Sequence, residues 1–396
     1  MNKNKRIDFM PLKMKGTVEV MTIQVENLTL QIGSFRLKDI SLNVPTGKVA
    51  VILGPSGSGK SILLDALAGF SRPQSGRILL DSQDITALPP EARKIGFMFQ
   101  DNALFPNLTV RENILFSLRF RNRRTPADDK ESKIDVGQIM RMLHIDHLTD
   151  RAIGGLSGGE KQRVALGRAL VRNPRIFLFD EPMSALDARA KEELQIELSE
   201  LLHKLSLTAI YVTHDQAEAS ALGDLICIME NGQLAQTGTH DEIFRHPNSP
   251  FVAKFVGMEN LFDGKVIELH PESDRRSLVS VQVIGTDGSS TAFTIITNQE
   301  VKLGEQVLIG IRPEDLIIQP RSPKQQFIDN GDKIFATIKD IVPWGIVYRL
   351  QMEGPFLITA YQNHQNIEKL NLTEQQYVQV TFPSTSLHLI KKGLKD

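Results

Sequence analysis

The stretch GPSGSGKS occupies residues 54–61 and follows the short apolar run 49–53. It fits the G-x-x-x-x-G-K-[ST] pattern fully. Its positions are taken by Gly54, Pro55, Ser56, Gly57, Ser58, Gly59, Lys60 and Ser61. Glycines let a chain close around phosphate groups, and backbone N–H groups at a helix N-terminus attract the anion. The pattern predicts that Lys60 reaches the β- and γ-phosphates of a nucleotide and that the Ser61 hydroxyl binds Mg²⁺.

A second apolar run, 176–179, ends in two carboxylates, Asp180 and Glu181. Alone, this pattern could simply be a strand that leaves the core for solvent. In a protein with a phosphate-binding loop, however, an aspartate at a strand end can hold Mg²⁺. A glutamate directly after it is placed to polarise the attacking water as a general base. The sequence therefore predicts that Asp180 binds Mg²⁺ and that Glu181 activates water.

Composition limits the classes of protein to which the chain can belong. The 396 residues indicate two or three domains, and a formal net charge of -1 gives no reason to expect nucleic acid as a partner. Cys227, the only cysteine, lies in an apolar run and is predicted to be a buried thiol of a cytosolic chain. No apolar run approaches the roughly 18–20 residues that span a bilayer. Residues 1–20 are predicted to be a disordered extension, with Met21 as an alternative start.

Two patterns divide the chain. Residues 21–250 alternate apolar runs with helical stretches, which is typical of a largely parallel α/β sheet. Within this region, residues from about 101 to 165 are predicted to form a helical insertion with a polar loop at 125–132. Beyond a linker at 251–260, residues 261–396 show short runs with period-two alternation, which predict a small β-barrel or sandwich.

Residues 156–163, LSGGEKQR, open a predicted helix with Ser157 as its N-cap. This string resembles the signature motif of ABC ATPases. The resemblance implies that a helix N-terminus senses the γ-phosphate of ATP held by a second copy of the chain. The residues implied to make that contact are Ser157, Gly158, Gly159 and Gln162. A head-to-tail dimer with two sandwiched sites for ATP and Mg²⁺ follows from this resemblance.

Three further elements of the family follow in order. Gln100 ends the apolar run 95–99 and matches the lid glutamine, which is implied to contact Mg²⁺ and the attacking water. Asp187 matches the loop that communicates across the dimer. A lone histidine after a strand is usually structural, but His214 stands in the string THDQAEA and matches the switch histidine that contacts the γ-phosphate.

The resemblance also implies an adenine contact and membrane partners. The family stacks an aromatic residue on adenine near the chain start, and the aligned position is Ile32 or Phe35, of which Phe35 is the candidate. Hydrolysis is implied to open the dimer and to move transmembrane permease subunits through Gln100 and residues 104–106. Phe105 could instead be only a core aromatic in a turn. Such a motor lies at the cytoplasmic face of the inner membrane and serves a solute-binding protein indirectly.

The tail carries the string GIRPED at residues 310–315. It resembles the transport-associated OB-like (TOBE) domain of importer ATPases, although Arg312 and Glu314 could also be a solvated strand end. The fold expected from all motifs is an α/β P-loop NTPase of the ABC ATPase type with an inserted helical lobe, followed by an all-β, OB-like barrel domain.

The most specific prediction concerns the identity of the transported solute. Among importers, the chain is most similar to the ATPases for molybdate and tungstate, in the stretches 156–170, 255–260, 342–349, 367–372 and 386–390. Sulfate, ferric iron, polyamines and sugars are the alternatives. Asn366 stands where a serine is common and Pro383 where a lysine is common. Because proline removes both a cation and a backbone donor, we expect inhibition by bound oxyanion to be weak or lost.

Other classes of ABC protein fit less well. Soluble members of DNA repair or chromosome structure carry a long coiled coil or zinc cysteines, and translation factors carry two phosphate-binding loops. Exporter ATPases lack the β-rich tail. A soluble ABC ATPase without a transport role stays as the alternative from a different class.

Overall fold

The computed structural model describes four stretches of the chain: residues 21–119, 135–271, 277–321 and 332–392. The predicted extension 1–20 and polar loop 125–132 lie outside them. The described chain forms two compact units, of which the first ends at Thr239 and the second begins at His240. No helix in the described stretches is long and apolar enough to cross a lipid bilayer.

The first unit alternates strands and helices. Its described strands are β1 (Ile23–Ile32), β2 (Phe35–Val44), β3 (Val49–Leu53), β4 (Ser75–Leu80), β5 (Gln83–Asp84), β6 (Ile95–Met98), β7 (Ile176–Asp180), β8 (Thr208–Thr213), β9 (Leu225–Glu230) and β10 (Gln233–Gly238). Its described helices are α1 (Lys60–Ala68), α2 (Val110–Phe116), α3 (Val136–Met142), α4 (Gly158–Leu170), α5 (Ala188–Lys204) and α6 (Gln216–Leu222). The predicted α/β class is confirmed.

The described strands of this unit include a central sheet in the order β10-β9-β3-β8-β7-β6. All of its neighbouring pairs are parallel except β10 with β9. β3 and β8 are buried along their whole length, which explains why their sequences are continuously apolar. Leu53 pairs with Thr213, and Asp180 pairs with Val212. The carboxyl ends of β3, β8 and β7 therefore meet at one edge of the sheet.

A second sheet, ordered β2-β1-β4-β5, is antiparallel and shares an apolar core with the central sheet and α1. β2 alternates exposed and buried side chains over most of its length, and its buried residues include Ile40 and Val44. From α1, Leu63 and Leu67 enter the same core. The helix that begins at Lys60 is thus packed into the core that the two sheets share.

The helical lobe lies between β6 and β7 in the chain. Both α2 and α4 begin with a capping box, formed by Thr109 with Glu112 and by Ser157 with Glu160. In each box the N-cap hydroxyl accepts from a helical N–H and the glutamate accepts from the N-cap N–H. Such reciprocal bonds define the first turn of a helix. The N-cap predicted for Ser157 is confirmed.

The second unit is mainly β-structure. Its described strands are β11 (Asn260–Pro271), β12 (Ser277–Ile284), β13 (Ser290–Thr297), β14 (Gln306–Ile311), β15 (Ile317–Pro320), β16 (Lys333–Trp344), β17 (Val347–Glu353), β18 (Leu357–Asn363), β19 (Tyr377–Thr381) and β20 (His388–Lys391). Its described helices are α7 (His240–Phe244), α8 (Pro250–Phe255) and α9 (His364–Lys369).

Among the described strands, two antiparallel sheets form this unit, ordered β13-β12-β11-β14-β20 and β15-β19-β16-β17-β18. Their buried faces share one apolar core, in which the rings of Phe262 and Phe356 lie 4.9 Å apart. The buried Asn260 amide joins the two sheets, because it donates to the Thr359 carbonyl at 2.8 Å and accepts from the Thr359 N–H at 2.8 Å. The predicted all-β domain is confirmed.

Arg312, from the string at 310–315, fastens the helices of the second unit. Its guanidinium donates to the carbonyl oxygen of Phe244 at 3.0 and 2.7 Å and to that of Val256 at 2.9 Å. Its side chain is only 17% exposed. Arg312 is therefore a structural tie rather than a solvated strand end. Residues 251–260, the predicted linker, contribute to α8 and to the start of β11.

Candidate active site

Residues 54–61 form a tight turn between β3 and α1 that only glycine tolerates at several positions. A Cβ at Gly54 would lie 2.4 Å from the Met229 carbonyl oxygen. Gly57 and Gly59 have φ angles of +80° and +103°, in the left-handed region that side chains disfavour. The loop thus has the backbone shape that its sequence pattern predicts.

Lys60 begins α1, and its ammonium group is enclosed by the loop. Nζ donates to the carbonyl oxygens of Gly54 and Pro55 at 2.9 and 3.0 Å and lies 4.0 Å from Glu181 Oε1. The residue is 5% exposed, and burial lowers the pKa of its ammonium group. The first N–H groups of α1 have no acceptor within the helix. Ser58 adds a buried Oγ without a hydrogen-bond partner among the described residues. A cation and unpaired donors around one loop fit a triphosphate.

Ser61 and Asp180 come together as the predicted magnesium ligands. The Ser61 hydroxyl donates to Asp180 Oδ1 at 3.0 Å. Burial raises the pKa of the Asp180 carboxyl, and the nearby carboxylates of Glu181 and Asp65 raise it further. Mg²⁺ prefers hydroxyl and carboxylate oxygens, and a divalent cation would offset this crowded negative charge. The oxygen donors present therefore fit Mg²⁺.

Glu181 and His214 meet at the edge where β7 and β8 end. The Glu181 N–H donates to the Val212 carbonyl at 3.0 Å, and Glu181 Oε2 lies 3.0 Å from His214 Nδ1. Glu181 has a φ of +44°, a strained value of the kind that often occurs at functional sites. Its side chain is 19% exposed, whereas that of His214 is 57% exposed. A carboxylate oriented by an imidazole and open to water can accept a proton from water.

The N-terminus of α4 presents part of the signature motif to solvent. Ser157 and Gly158 are exposed and Gly159 is half-buried. Gln162 differs, because it is 1% exposed and its amide donates to the Pro182 carbonyl oxygen. Within its own subunit, Gln162 thus holds the turn after β7. The implied contact of Gln162 with the partner's ATP stays a prediction.

The remaining predicted residues lie at the surface or against the loop. Asp187 is exposed and caps α5 by accepting from the Ala190 N–H at 3.0 Å. Gln100 is exposed just beyond β6. A Cβ at Gly59 would lie 2.7 Å from two ring carbons of Phe35. Phe35 thus packs on the phosphate-binding loop, while its alternative Ile32 is 43% exposed. The adenine contact stays a prediction.

Arg168 is a residue that the sequence analysis missed. From α4, it donates to the carbonyl oxygens of Asn102 and Ala103 at 2.7 and 2.5 Å, just after Gln100. It also lies 5.7 Å from the ring centroid of Phe105, which itself packs on the Phe116 ring at 4.0 Å. The signature helix therefore holds the loop that follows the lid glutamine. An arginine inside the apolar string VALGRAL at 164–170 is the signal that could have revealed it.

Arg93 is a second residue whose role was not predicted from the sequence. It is 3% exposed and donates to the carbonyl oxygens of Ala66 and Leu67, each at 2.7 Å, at the end of α1. It also donates to the carbonyls of Thr86 and Leu88. Because helix ends leave carbonyl groups without partners, Arg93 satisfies those of the helix that follows the phosphate-binding loop.

Comparison with known proteins shows the family to which the chain belongs. Residues 37–184 match the family described as "ABC transporter". A sulfate/thiosulfate import ATP-binding protein from Synechocystis is 46% identical over 357 residues, which cover 83% of this chain and 99% of that protein. The chain belongs to the ATP-binding subunits of ABC importers. A spermidine/putrescine import ATP-binding protein from Thermotoga maritima is 35% identical over 86% of this chain and 90% of its own length.

The solved structures agree with this family. A nucleotide-free ATP-binding cassette of an ABC transporter superimposes with a TM-score of 0.52 at 28% identity and covers 60% of this chain and 98% of its own. As an ABC import ATPase, the chain binds ATP with Mg²⁺ and hydrolyses ATP. Bound Mg²⁺ neutralises charge on the β- and γ-phosphates.

Proposed function

We propose that this ABC import ATPase works as a head-to-tail dimer that drives transmembrane permease subunits from the cytoplasmic face of the inner membrane. The observation that carries the proposal is the pairing at one sheet edge of Ser61 with Asp180 and of Glu181 with His214. Lys60 lies beside them. These residues can bind the triphosphate and activate water, but the described residues assigned above include no group that closes the site from the opposite side.

A second copy would supply that group. Ser157 and Gly158 are exposed at a capped helix N-terminus, which carries partial positive charge. Asp187, at the start of α5, is exposed as well. In the dimer, the N-terminus of α4 faces the γ-phosphate held by the partner's residues 54–61. Each site is therefore completed only when two copies meet.

Hydrolysis then uses the residues of the sheet edge. Lys60 leaves the carbonyl oxygens of its own loop for the phosphate oxygens. Glu181 takes a proton from the attacking water, and His214 orients that carboxylate and contacts the γ-phosphate. Loss of the phosphate removes the group that bridges the two copies, so the dimer opens. Gln100 and the adjoining helical lobe pass this motion to the permease.

Glu181→Gln tests the general base. The amide keeps the shape of the side chain but does not accept the proton, so turnover falls by about 10²–10⁴-fold. ATP binding is retained, because residues 54–61 are unchanged, and ATP produces a stable dimer detectable by size-exclusion chromatography. Normal hydrolysis by this variant would overturn the assignment of Glu181. A monomer in the presence of ATP would overturn the dimer.

The transported solute is proposed to be an oxyanion of the sulfate class. The relatives named above import sulfate/thiosulfate and spermidine/putrescine, so they support the alternative solutes rather than molybdate or tungstate. The sulfate relative has the higher identity and is covered almost completely. Deleting the gene should abolish uptake of radiolabelled sulfate, and the plasmid-borne gene should restore it. Unchanged sulfate uptake with loss of putrescine uptake would replace this solute with a polyamine.

The second unit gives little support for an oxyanion as a feedback inhibitor. Asn366 lines a cavity of about 590 Å³ together with the carboxylates of Glu314 and Asp315. The Asn366 amide already donates to the Gln362 side chain at 2.9 Å. Although Lys369 also lines this cavity, its lining has two acidic residues, Glu314 and Asp315, against this one lysine, which does not favour an anion. Micromolar sulfate or molybdate should therefore leave ATPase activity unchanged, and strong inhibition would refute this view.

A further inference from the structure

A charge cluster lies outside the residues assigned so far, between α5 and α6. The Lys191 ammonium lies 2.5 Å from Asp215 Oδ2 and 2.6 Å from Glu218 Oε1. The side chains of these residues are 23%, 31% and 3% exposed, in that order. One cation from α5 thus pairs with two carboxylates, that of the residue that caps α6 and one within α6.

The cluster extends inwards to a buried tyrosine. The Tyr211 hydroxyl donates to Glu218 Oε2 at 2.6 Å, and Tyr211 is fully buried in β8. Burial and the Glu218 carboxylate raise the pKa of Tyr211 well above its usual range, so it remains a donor. Although burial lowers the pKa of Lys191, hydrogen bonds to both carboxylates outweigh that effect and raise it. A buried carboxylate without its cation is costly, so Glu218 depends on Lys191.

Both ends of the cluster adjoin residues of the ATPase reaction. Asp215 directly follows His214 and caps α6 by accepting from the Ala217 N–H at 2.7 Å. Lys191 lies one turn after Asp187, the residue that caps α5. Because Lys191 binds the capping residue of α6, it sets the distance between the loop of His214 and the helix that begins at Asp187.

We propose that Lys191 is a positioning residue that holds His214 against Glu181 and couples it to the loop of Asp187. This inference rests on the proposed roles of His214 and Glu181. Loss of the ammonium group frees Asp215 from α5 and lets the loop of His214 shift relative to Glu181. Among the described residues, the Lys191 ammonium pairs with Asp215 and Glu218 and with no residue of the loop 54–61, so it affects turnover and not ATP binding.

A double-mutant cycle tests the inference on the full-length ATPase. Lys191→Met should lower kcat about tenfold, equivalent to ~1.4 kcal/mol of transition-state stabilisation, with an unchanged KM for ATP. Lys191→Arg, which keeps a cation, should recover most of the lost kcat. His214→Ala should also lower kcat, and the double variant Lys191→Met/His214→Ala should be no slower than His214→Ala alone. Residues that act through one another behave in this non-additive way.

Arg77→Met is the matched control, because it removes a cation from the surface pair with Glu26 and should leave kcat unchanged. Multiplicative effects in the double variant, or a wild-type kcat for Lys191→Met, would overturn the inference. A His214→Ala variant with wild-type kcat would instead overturn the proposed role of the histidine. If thermal unfolding shows that Lys191→Met does not fold, Asp215→Asn replaces it in the cycle, since its amide oxygen can still accept from the Ala217 N–H while its carboxylate pair with Lys191 is lost.

Discussion

Replacing Arg168 by methionine should loosen the loop after Gln100 without touching the phosphate-binding loop. Arg168 makes two hydrogen bonds to the carbonyls of Asn102 and Ala103, at 2.7 and 2.5 Å. Those two residues have φ angles of +60° and +44°. A left-handed conformation costs an ordinary residue such as alanine roughly 1–2 kcal/mol. The guanidinium therefore holds a loop that would otherwise relax.

The size of the effect follows from these contacts. Hydrogen bonds from a charged donor contribute about 1.5–3 kcal/mol each, but water replaces part of that contribution at a half-exposed site. A net loss of ~2 kcal/mol lowers the equilibrium constant between the native and the relaxed position of the loop about 30-fold, since 1.36 kcal/mol corresponds to a factor of ten. We expect kcat of Arg168→Met to fall by about this factor, while affinity for ATP stays at the wild-type value.

Steady-state ATPase assays and equilibrium binding of a fluorescent ATP analogue measure the two quantities separately. Adding Ala103→Gly to Arg168→Met removes the strain at φ +44° and should restore part of kcat, because the relaxed loop is then no longer favoured. A wild-type kcat for Arg168→Met would refute the role of Arg168. Equal losses of kcat and ATP affinity would show general unfolding instead of a local shift of the loop.

Three further predictions address other parts of the chain. Lys60→Ala should weaken equilibrium binding of ATP itself, and wild-type affinity would contradict the anion site. Asp180→Asn should abolish Mg²⁺-dependent hydrolysis but raise the thermal midpoint in Mg²⁺-free buffer at neutral pH. Burial raises the pKa of Asp180, so its ionised carboxylate destabilises the folded state at neutral pH, whereas the neutral amide of asparagine does not. A thermal midpoint below that of the wild type would contradict this expectation. Asn260→Ala leaves the Thr359 N–H and carbonyl unpaired between two sheets, and each buried unpaired group costs ~1–3 kcal/mol in chemical denaturation. A change below ~0.5 kcal/mol, typical of surface substitutions, would refute the joining role of Asn260.

Much of the fold could be predicted because its signals are local. β3, β7 and β8 have continuous apolar sequences, and both faces of β3 and β8 are buried. The alternation of β12 and β16 predicted strands with one face in the core, and the structure buries every second residue over most of β12 and over the first half of β16. The sheet formed by β2, β1, β4 and β5 was not recognised as one sheet, because β1 joins β4 across residues 54–61 and α1.

Side-chain surroundings were the least predictable part of the site. Gln162 belongs to the signature string, yet it lies inside its own subunit against Pro182. Arg168 binds carbonyl groups more than 60 residues earlier in the chain. Phe35 packs on Gly59. Every residue has a backbone carbonyl, so the sequence does not indicate which carbonyl groups a given side chain will contact.

The chemistry of the loop at 54–61 follows from its amino acids alone, since its glycines, lysine and serine act over a few bonds. That Asp180 and Glu181 follow an apolar strand is equally local. The contacts of Ser61 with Asp180 and of Glu181 with His214, each at 3.0 Å, depend on the fold. The physical reason is the order β3-β8-β7 in a parallel sheet, where strands distant in sequence align their carboxyl ends.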